Sequence, residues 1–269
     1  MGDYSAQAVV NTILNRTFPD DPIVGEEDAA DLRVESGTVL RERIIQLANE
    51  TLIAELVPGE KEEWGLGPKN GRTTEQLLDA IDRGNYQGGR TGRKYCLAFS
   101  KGSLCCLGSL TLYAGMWTLD PIDGTKGFLR GEQYAVCLAL IVDSRVELGV
   151  IGCPNLPVSA SEPSGPRGCI FVAVRGEGAY QLPLDDPLSS TGTKLTIPTF
   201  TPETLNFLES VEKAHAKLSF NQRVGPVLGV TWAPTRVAHG QPGEVLLAHT
   251  GRWWVYLRMP VGTGYREKI

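Results

Sequence analysis

The chain has 269 residues, a formal net charge of −5 and 42% hydrophobic residues, enough to bury a real core in one large or two modest domains. Its acidic balance, with three histidines and no basic stripe, excludes a general nucleic-acid binder. The longest apolar run, Cys96 to Trp117, is interrupted by Lys101 and by several glycines and serines, which excludes a membrane span there.

Met1 leads directly into polar residues, so no secretory signal is expected. Six cysteines occur without a paired C-x-x-C spacing. They are expected to be reduced core residues of a cytoplasmic or nuclear protein, with zinc as a weaker alternative. The vicinal Cys105-Cys106 is poorly placed for a structural disulfide.

In chain order, Asp3 to Arg16 carries apolar residues at helical spacing (Ala6, Val9, Val10, Ile13, Leu14). Phe18 to Asp21 interrupts it, and Ile23-Val24 reads as a short strand ending at Gly25. Thr38 to Leu56 and Thr74 to Ile81 read as amphipathic helices, the latter closing towards Gly84. Strands are expected at Trp117–Leu119, Tyr134–Val142, Val146–Cys153, Cys169–Val174 and Ala179–Leu182. A hairpin turn is expected at Asp143-Ser-Arg145, and a second over Arg175-Gly-Glu-Gly178. Pro183 to Pro202 is rich in Pro, Ser, Thr and Asp and is expected to lead into a second domain. Beyond it, Phe207–Val211 and Val255–Met259 read as strands and His215–Leu228 as a helix. The mixture predicts an α+β fold.

The segment from Trp117 to Gly127 carries the chemistry. It sets Asp120 and Asp123 around a Pro-Ile step and follows them with Gly124 and Thr125. Acids three residues apart point to opposite faces of a regular strand. Pro121 and Gly124 are expected to break the strand, so that both carboxylates converge. Converged carboxylates repel unless a hard cation separates them, and Mg²⁺ prefers such oxygen ligands. The Thr125 hydroxyl then lies near a water bound to that ion, as in a metal-dependent phosphatase. Asp-Pro and Asp-Gly steps also build ordinary solvated turns, and this segment alone leaves both readings open. Likewise Asp3 alone reads as a helix cap, and Glu26-Glu27 after Gly25 as a solvated pair.

Further motifs decide between them. The stretches Gly2–Gln7, Phe18–Glu27, Gly84–Arg90, Trp117–Pro154, Val174–Ala179, Ser210–His215 and Tyr256–Pro260 together resemble the lithium-sensitive, magnesium-dependent phosphomonoesterases typified by inositol monophosphatase. Asp-Pro-Ile-Asp-Gly-Thr is the signature of that superfamily. The Lys-Gly-Phe-Leu-Arg-Gly extension and the Val-Glu-Lys-x-His element point to its bisphosphate nucleotidase branch. The resemblance implies a layered α/β/α/β/α sandwich and hydrolysis of the 3'-phosphate of 3'-phosphoadenosine 5'-phosphate to give AMP. The sulfated analogue is implied as a second substrate, and inhibition by Li⁺ and Na⁺ is implied as well. A small phosphorylated nucleotide is thereby expected as substrate partner; no nucleic acid or membrane partner is expected from composition, and a monomer is expected. An inositol phosphate phosphatase is the alternative activity.

Carried over by residue, the resemblance implies that Glu26 ligates a first Mg²⁺ with Asp120 and the backbone carbonyl of Ile122. Asp120 bridges to a second Mg²⁺, which Asp123 also binds. Thr125 hydrogen-bonds the attacking water and Asp3 is its general base. The amides of Gly124 and Thr125 face phosphate oxygens. His215 contacts the nucleotide, and Arg258 lies in the substrate pocket, where its forked guanidinium suits phosphate.

The chain also departs from the family pattern. It starts at Asp3, where the family has a preceding helix, and Tyr95–Met116 has no counterpart and is expected to be an insertion. The Asp-Ser-Gln-Ala-Lys-Tyr element is missing between Thr235 and Tyr256, and the chain ends at Ile269, ahead of a Trp-Asp motif whose Asp ligates the second metal. The expectation is therefore an N-terminal domain over 1–185 carrying the metal motifs and a truncated C-terminal domain over 186–269. Little or no turnover is expected of such a chain, and a non-catalytic fragment that binds metal or nucleotide is the rival reading.

Overall fold

The structure, a computed structural model, describes residues 1–56, 59–60, 64–66, 69–87, 94–95, 113–159, 161–187, 192–196, 248–250 and 253–255. The helices are α1 (Gly2–Thr17), α2 (Ala30–Arg33), α3 (Thr38–Ile53), α4 (Thr74–Asp82) and α5 (Thr125–Leu129). The strands are β1 (Ile23–Val24), β2 (Lys94–Tyr95), β3 (Tyr113–Asp123), β4 (Ala135–Val142), β5 (Arg145–Pro157), β6 (Arg167–Val174), β7 (Gly178–Pro183), β8 (Thr193–Leu195), β9 (Ala248–Thr250) and β10 (Trp253–Val255). The fold is α+β.

From β3 to β8 the strands form an antiparallel meander in sequence order. On the other edge of β3, β1 pairs parallel and β2 antiparallel. Cross-strand partners share a face of the sheet. One face buries Ala135, Cys137, Ile151, Cys153 and Cys169. The opposite face presents Trp117, Leu138, Leu140 and Leu148 to Val10 and Leu14 of α1 and to Phe18 just beyond its end. Both faces are covered, which is why β4 and β5 read as nearly continuous apolar runs.

Helix α1 therefore has two buried sides. Val10, Leu14 and Phe18, spaced four apart, lie on the sheet. Ala8 packs instead with Ile44, Ala48 and Leu52 of α3 and Leu77, Leu78 and Ile81 of α4. On that side two fully buried polar residues bind α4, Gln7 Nε2 donating to Ile81 O at 2.9 Å and Asn11 Nδ2 to Ala80 O at 2.9 Å.

Local chemistry accounts for the element ends. Helix α4 opens on a reciprocal cap in which Thr73 Oγ1 accepts from the Gln76 amide at 3.3 Å and Gln76 Oε1 from the Thr73 amide at 2.9 Å. Thr73→Ala should cost about 1 kcal/mol and Thr73→Ser much less, read as the shift in urea midpoint at unchanged slope. Helix α3 stops at Ile53, short of the expected Leu56, whose amide donates to the Glu60 carboxylate at 2.9 Å. The β4–β5 turn is tighter than expected. Only Asp143 and Ser144 form it, both left-handed (φ 48° and 63°), and Arg145 already begins β5. This two-residue geometry matches the twist of the flanking strands.

Other boundaries moved through pairing. Strand β3 starts at Tyr113 because Tyr113 and Ala114 pair with β2, and Gly115 and Met116 with Val142 and Ile141 of β4. The end of the expected insertion thus continues the central strand. Thr193–Leu195, inside the expected interdomain stretch, pair with β7. Trp253–Val255 is a strand paired with β9, while the rest of the predicted Val255–Met259 strand lies outside the described residues. So do Phe207–Val211 and His215–Leu228.

Candidate active site

The parallel pairing of β1 with β3 puts two acids side by side. Val24 is in register with Thr118, so the chains leave that pair in the same direction and Glu26 and Asp120 follow two residues later on each. This is a consequence of register, since the two residues are far apart in sequence.

Asp123 joins them by a different device. Opposite β4, Asp120 pairs with Cys137 and Asp123 with Ala135, so β3 uses three steps where β4 uses two. The extra residue is a bulge, and it returns Asp123 to the face that Asp120 occupies. The expected strand break at Pro121 is therefore corrected. The strand runs through to Asp123, and Pro121, with no N–H to offer the ladder, sits in the bulge where that lack is tolerated. Gly124 then takes a left-handed φ of 88° and turns the chain into α5. The Thr125 hydroxyl donates to the Ile122 carbonyl at 3.2 Å.

Asp3 lies in the first turn of α1 but does not cap it. Met1 holds the cap position, with no side-chain cap bond. The helix start abuts the acidic loop, since a Cβ added at Gly2 would fall 2.7 Å from Ile122 Cδ1. Asp3 and Glu26 both push the half-buried Glu27 carboxyl upward; burial is the larger cause, and the Tyr4 hydroxyl donating to it acts the other way. Burial, then Glu27, raises Tyr4 to about 12.

Asp120 is the electrostatic centre. It is 6% exposed, and its Oδ1 is buried with no hydrogen-bond partner among the described residues. Burial first, then the charges of Glu26 and Asp123 and a proton shared with Glu26, raise its carboxyl from 3.8 to about 8; the Ile122 amide opposes the shift. Burial and the same acids raise the facing Cys137 thiol.

A buried carboxylate oxygen without a donor, ringed by like charges, is costly unless a proton or a cation neutralises it. The oxygen-only donor set of Glu26, Asp120, the Ile122 carbonyl and Asp123 fits a hard divalent ion. Among the described residues no three His, Cys, Asp or Glu side chains are already gathered as a metal cage. The acids share one field without forming a closed ligand set.

Of the residues expected in the site, Asp3, Glu26, Asp120, Ile122, Asp123, Gly124 and Thr125 lie around this loop. His215 and Arg258 lie outside the described residues. Tyr4, Gln7 and Glu27 were not anticipated. A signal for Gln7 existed, because Asp3, Gln7 and Asn11 form a polar stripe at i, i+4 and i+8 along one face of the helix.

The profile of the inositol monophosphatase family matches residues 108–225. Over its whole length the chain is 37% identical to the 3'(2'),5'-bisphosphate nucleotidase of Schizosaccharomyces pombe, covering 67% of it. It is likewise 37% identical to 3'(2'),5'-bisphosphate nucleotidase 1 of Arabidopsis thaliana, covering 69% of it. The crystal structure of CysQ from Bacteroides thetaiotaomicron, a bacterial member of the inositol monophosphatase family, is 16% identical over 84% of this chain and 65% of that one, with a TM-score of 0.31. The chain belongs to the inositol monophosphatase family, which is metal-dependent. Relatives that match along the whole chain include the 3'(2'),5'-bisphosphate nucleotidases.

Proposed function

We propose that the chain is a Mg²⁺-dependent phosphomonoesterase that removes the 3'-phosphate of 3'-phosphoadenosine 5'-phosphate, giving AMP, and acts similarly on 3'-phosphoadenylyl sulfate. The 37% identity over the whole chain to a 3'(2'),5'-bisphosphate nucleotidase carries the substrate assignment. The orphaned Asp120 oxygen supports the cation.

Glu26, Asp120 and the Ile122 carbonyl would hold one Mg²⁺, and Asp120 with Asp123 a second. When bound, Mg²⁺ lowers the pKa of the attacking water and neutralises charge on the phosphoryl oxygens. Asp3 takes the proton from the attacking water. Thr125 Oγ1, poised beside the Ile122 carbonyl, orients that water. The amides of Gly124 and Thr125 bind phosphate oxygens, while His215 and Arg258 take the nucleotide. The buried free thiols Cys137, Cys153 and Cys169 suit a reducing compartment, the cytoplasm or nucleus. Among the described residues no helix is long and apolar enough to cross a membrane.

The test is phosphate release by the purified chain from 3'-phosphoadenosine 5'-phosphate and from inositol 1-phosphate. Release from the nucleotide alone, abolished by EDTA and restored by Mg²⁺, would support this reading over the little or no turnover expected from the sequence. Release from the inositol phosphate alone would reassign the substrate. Cation binding without release from either would leave a non-catalytic binding protein.

A further inference from the structure

Glu26 is exposed, and besides the proton its side chain shares with Asp120 its place depends on its backbone. That backbone is held by Gln7. The Gln7 side chain is fully buried in α1, one turn after Asp3. Its Oε1 accepts from the amides of Glu26 and Glu27, each at 3.0 Å. Its Nε2 donates to the carbonyls of Glu27 at 2.6 Å and Ile81 at 2.9 Å. Two donors and two lone pairs are the full capacity of a primary amide, and all are used.

The slot leaves the amide no alternative position. A Cβ at Gly25 would lie 2.6 Å from Gln7 Oε1, and one at Gly84 2.7 Å from Gln7 Nε2. The Gly25 amide donates to the Gly84 carbonyl at 2.8 Å, closing the wall. No other side chain of this length offers donors and acceptors at one tip. A glutamate would lose both donors and place a charge beside two carbonyls.

We infer that Gln7 is a positioning residue that locks the Glu26 backbone to the helix carrying Asp3 and so sets the divalent-cation affinity of a site it does not touch. This rests on the metal-site reading above. Loss of Gln7 frees the 25–27 loop, and Glu26 then spends less time beside Asp120. Residues that orient metal ligands from outside typically change affinity 10–100-fold, on the order of what is expected here.

Asn11 provides the comparison. It is equally buried and one turn further along α1, and it bonds the Ala80 carbonyl. It shares the helix-to-helix role without reaching the acidic loop. Gln7→Ala, Gln7→Met and Asn11→Ala would be compared with the wild type in the full chain, Gln7→Met filling the slot in case the alanine variant does not fold. Mn²⁺ affinity would be read by electron paramagnetic resonance, and amide exchange across residues 20–29 by mass spectrometry. The expected result is a roughly 10–100-fold loss of Mn²⁺ affinity with faster exchange at Glu26 and Glu27 in the Gln7 variants only. Wild-type Mn²⁺ affinity in a folded Gln7 variant would overturn the inference, as would an equal loss in Asn11→Ala. A wild-type chain that binds no Mn²⁺ but protects the Glu26 and Glu27 amides would overturn the metal-site reading itself, and this inference with it.

Discussion

Asp120→Asn should weaken divalent-cation binding by more than the roughly 10–100-fold typical of an outer-shell partner, and in EDTA it should raise the melting temperature. Both effects have one cause. The Asp120 carboxylate is buried beside Glu26 and Asp123, and one oxygen has no donor among the described residues. Asparagine has the same shape without the charge, and its amide can donate to Glu26. The cation therefore loses a ligand, while the metal-free protein loses a repulsion.

The pH dependence carries the same signature. With the folded carboxyl raised from 3.8 to about 8, the folded state holds a proton that the unfolded chain has released. Wild-type stability in EDTA should thus be favoured near pH 4 and decline as pH rises towards 8. Asp120→Asn should flatten that decline. A variant that melts below the wild type in EDTA at pH 8.5 would mean that the carboxylate is compensated within the protein, and the argument for a cation would fall.

Trp117→Ala should produce the largest loss of stability, about 3–5 kcal/mol from the cavity and lost burial. Trp117 is 4% exposed, packs with Leu14 and Ile23, and lies against Phe18 with ring centroids 5.2 Å apart. Its indole Nε1 donates at 3.0 Å to Asp21 Oδ2, on an aspartate that is itself 1% exposed. Trp117→Phe keeps most of the apolar volume and removes that donor, so about 1–3 kcal/mol is expected. Urea titrations of the two variants separate packing from hydrogen bonding. A Phe variant as unstable as the Ala variant would place the effect in the Asp21 bond instead. Trp117 is also the residue in register with Ile23, so Trp117→Ala should disturb the neighbouring pairing that brings Glu26 to Asp120.

Much of the local structure was legible because its causes are local. The apolar period of α1 and the strand-forming runs of β4 to β7 depend on residues a few positions apart. Spacing also marked Asp120 and Asp123 as acids with a reason to converge. Their means of converging was misread, since a proline followed by a glycine looks like a break unless the partner strand is known. The start of β3 at Tyr113 was missed for the same reason: nothing in Tyr-Ala-Gly-Met marks it as strand until β2 and the end of β4 lie opposite.

The sequence by itself determined which side chains could do chemistry: carboxylates at Asp3, Glu26, Asp120 and Asp123, with a hydroxyl at Thr125. It also determined the family, through motifs spread along the chain. The tertiary structure alone decided which of those acids meet and what meeting costs. Parallel pairing of β1 with β3 places Glu26 level with Asp120, the bulge turns Asp123 to the same face, and Gln7 anchors the loop across α1 and α4. The physical reason is that charge–charge energy depends on distance and on the surrounding dielectric. Both are properties of the packed chain and not of any segment of it.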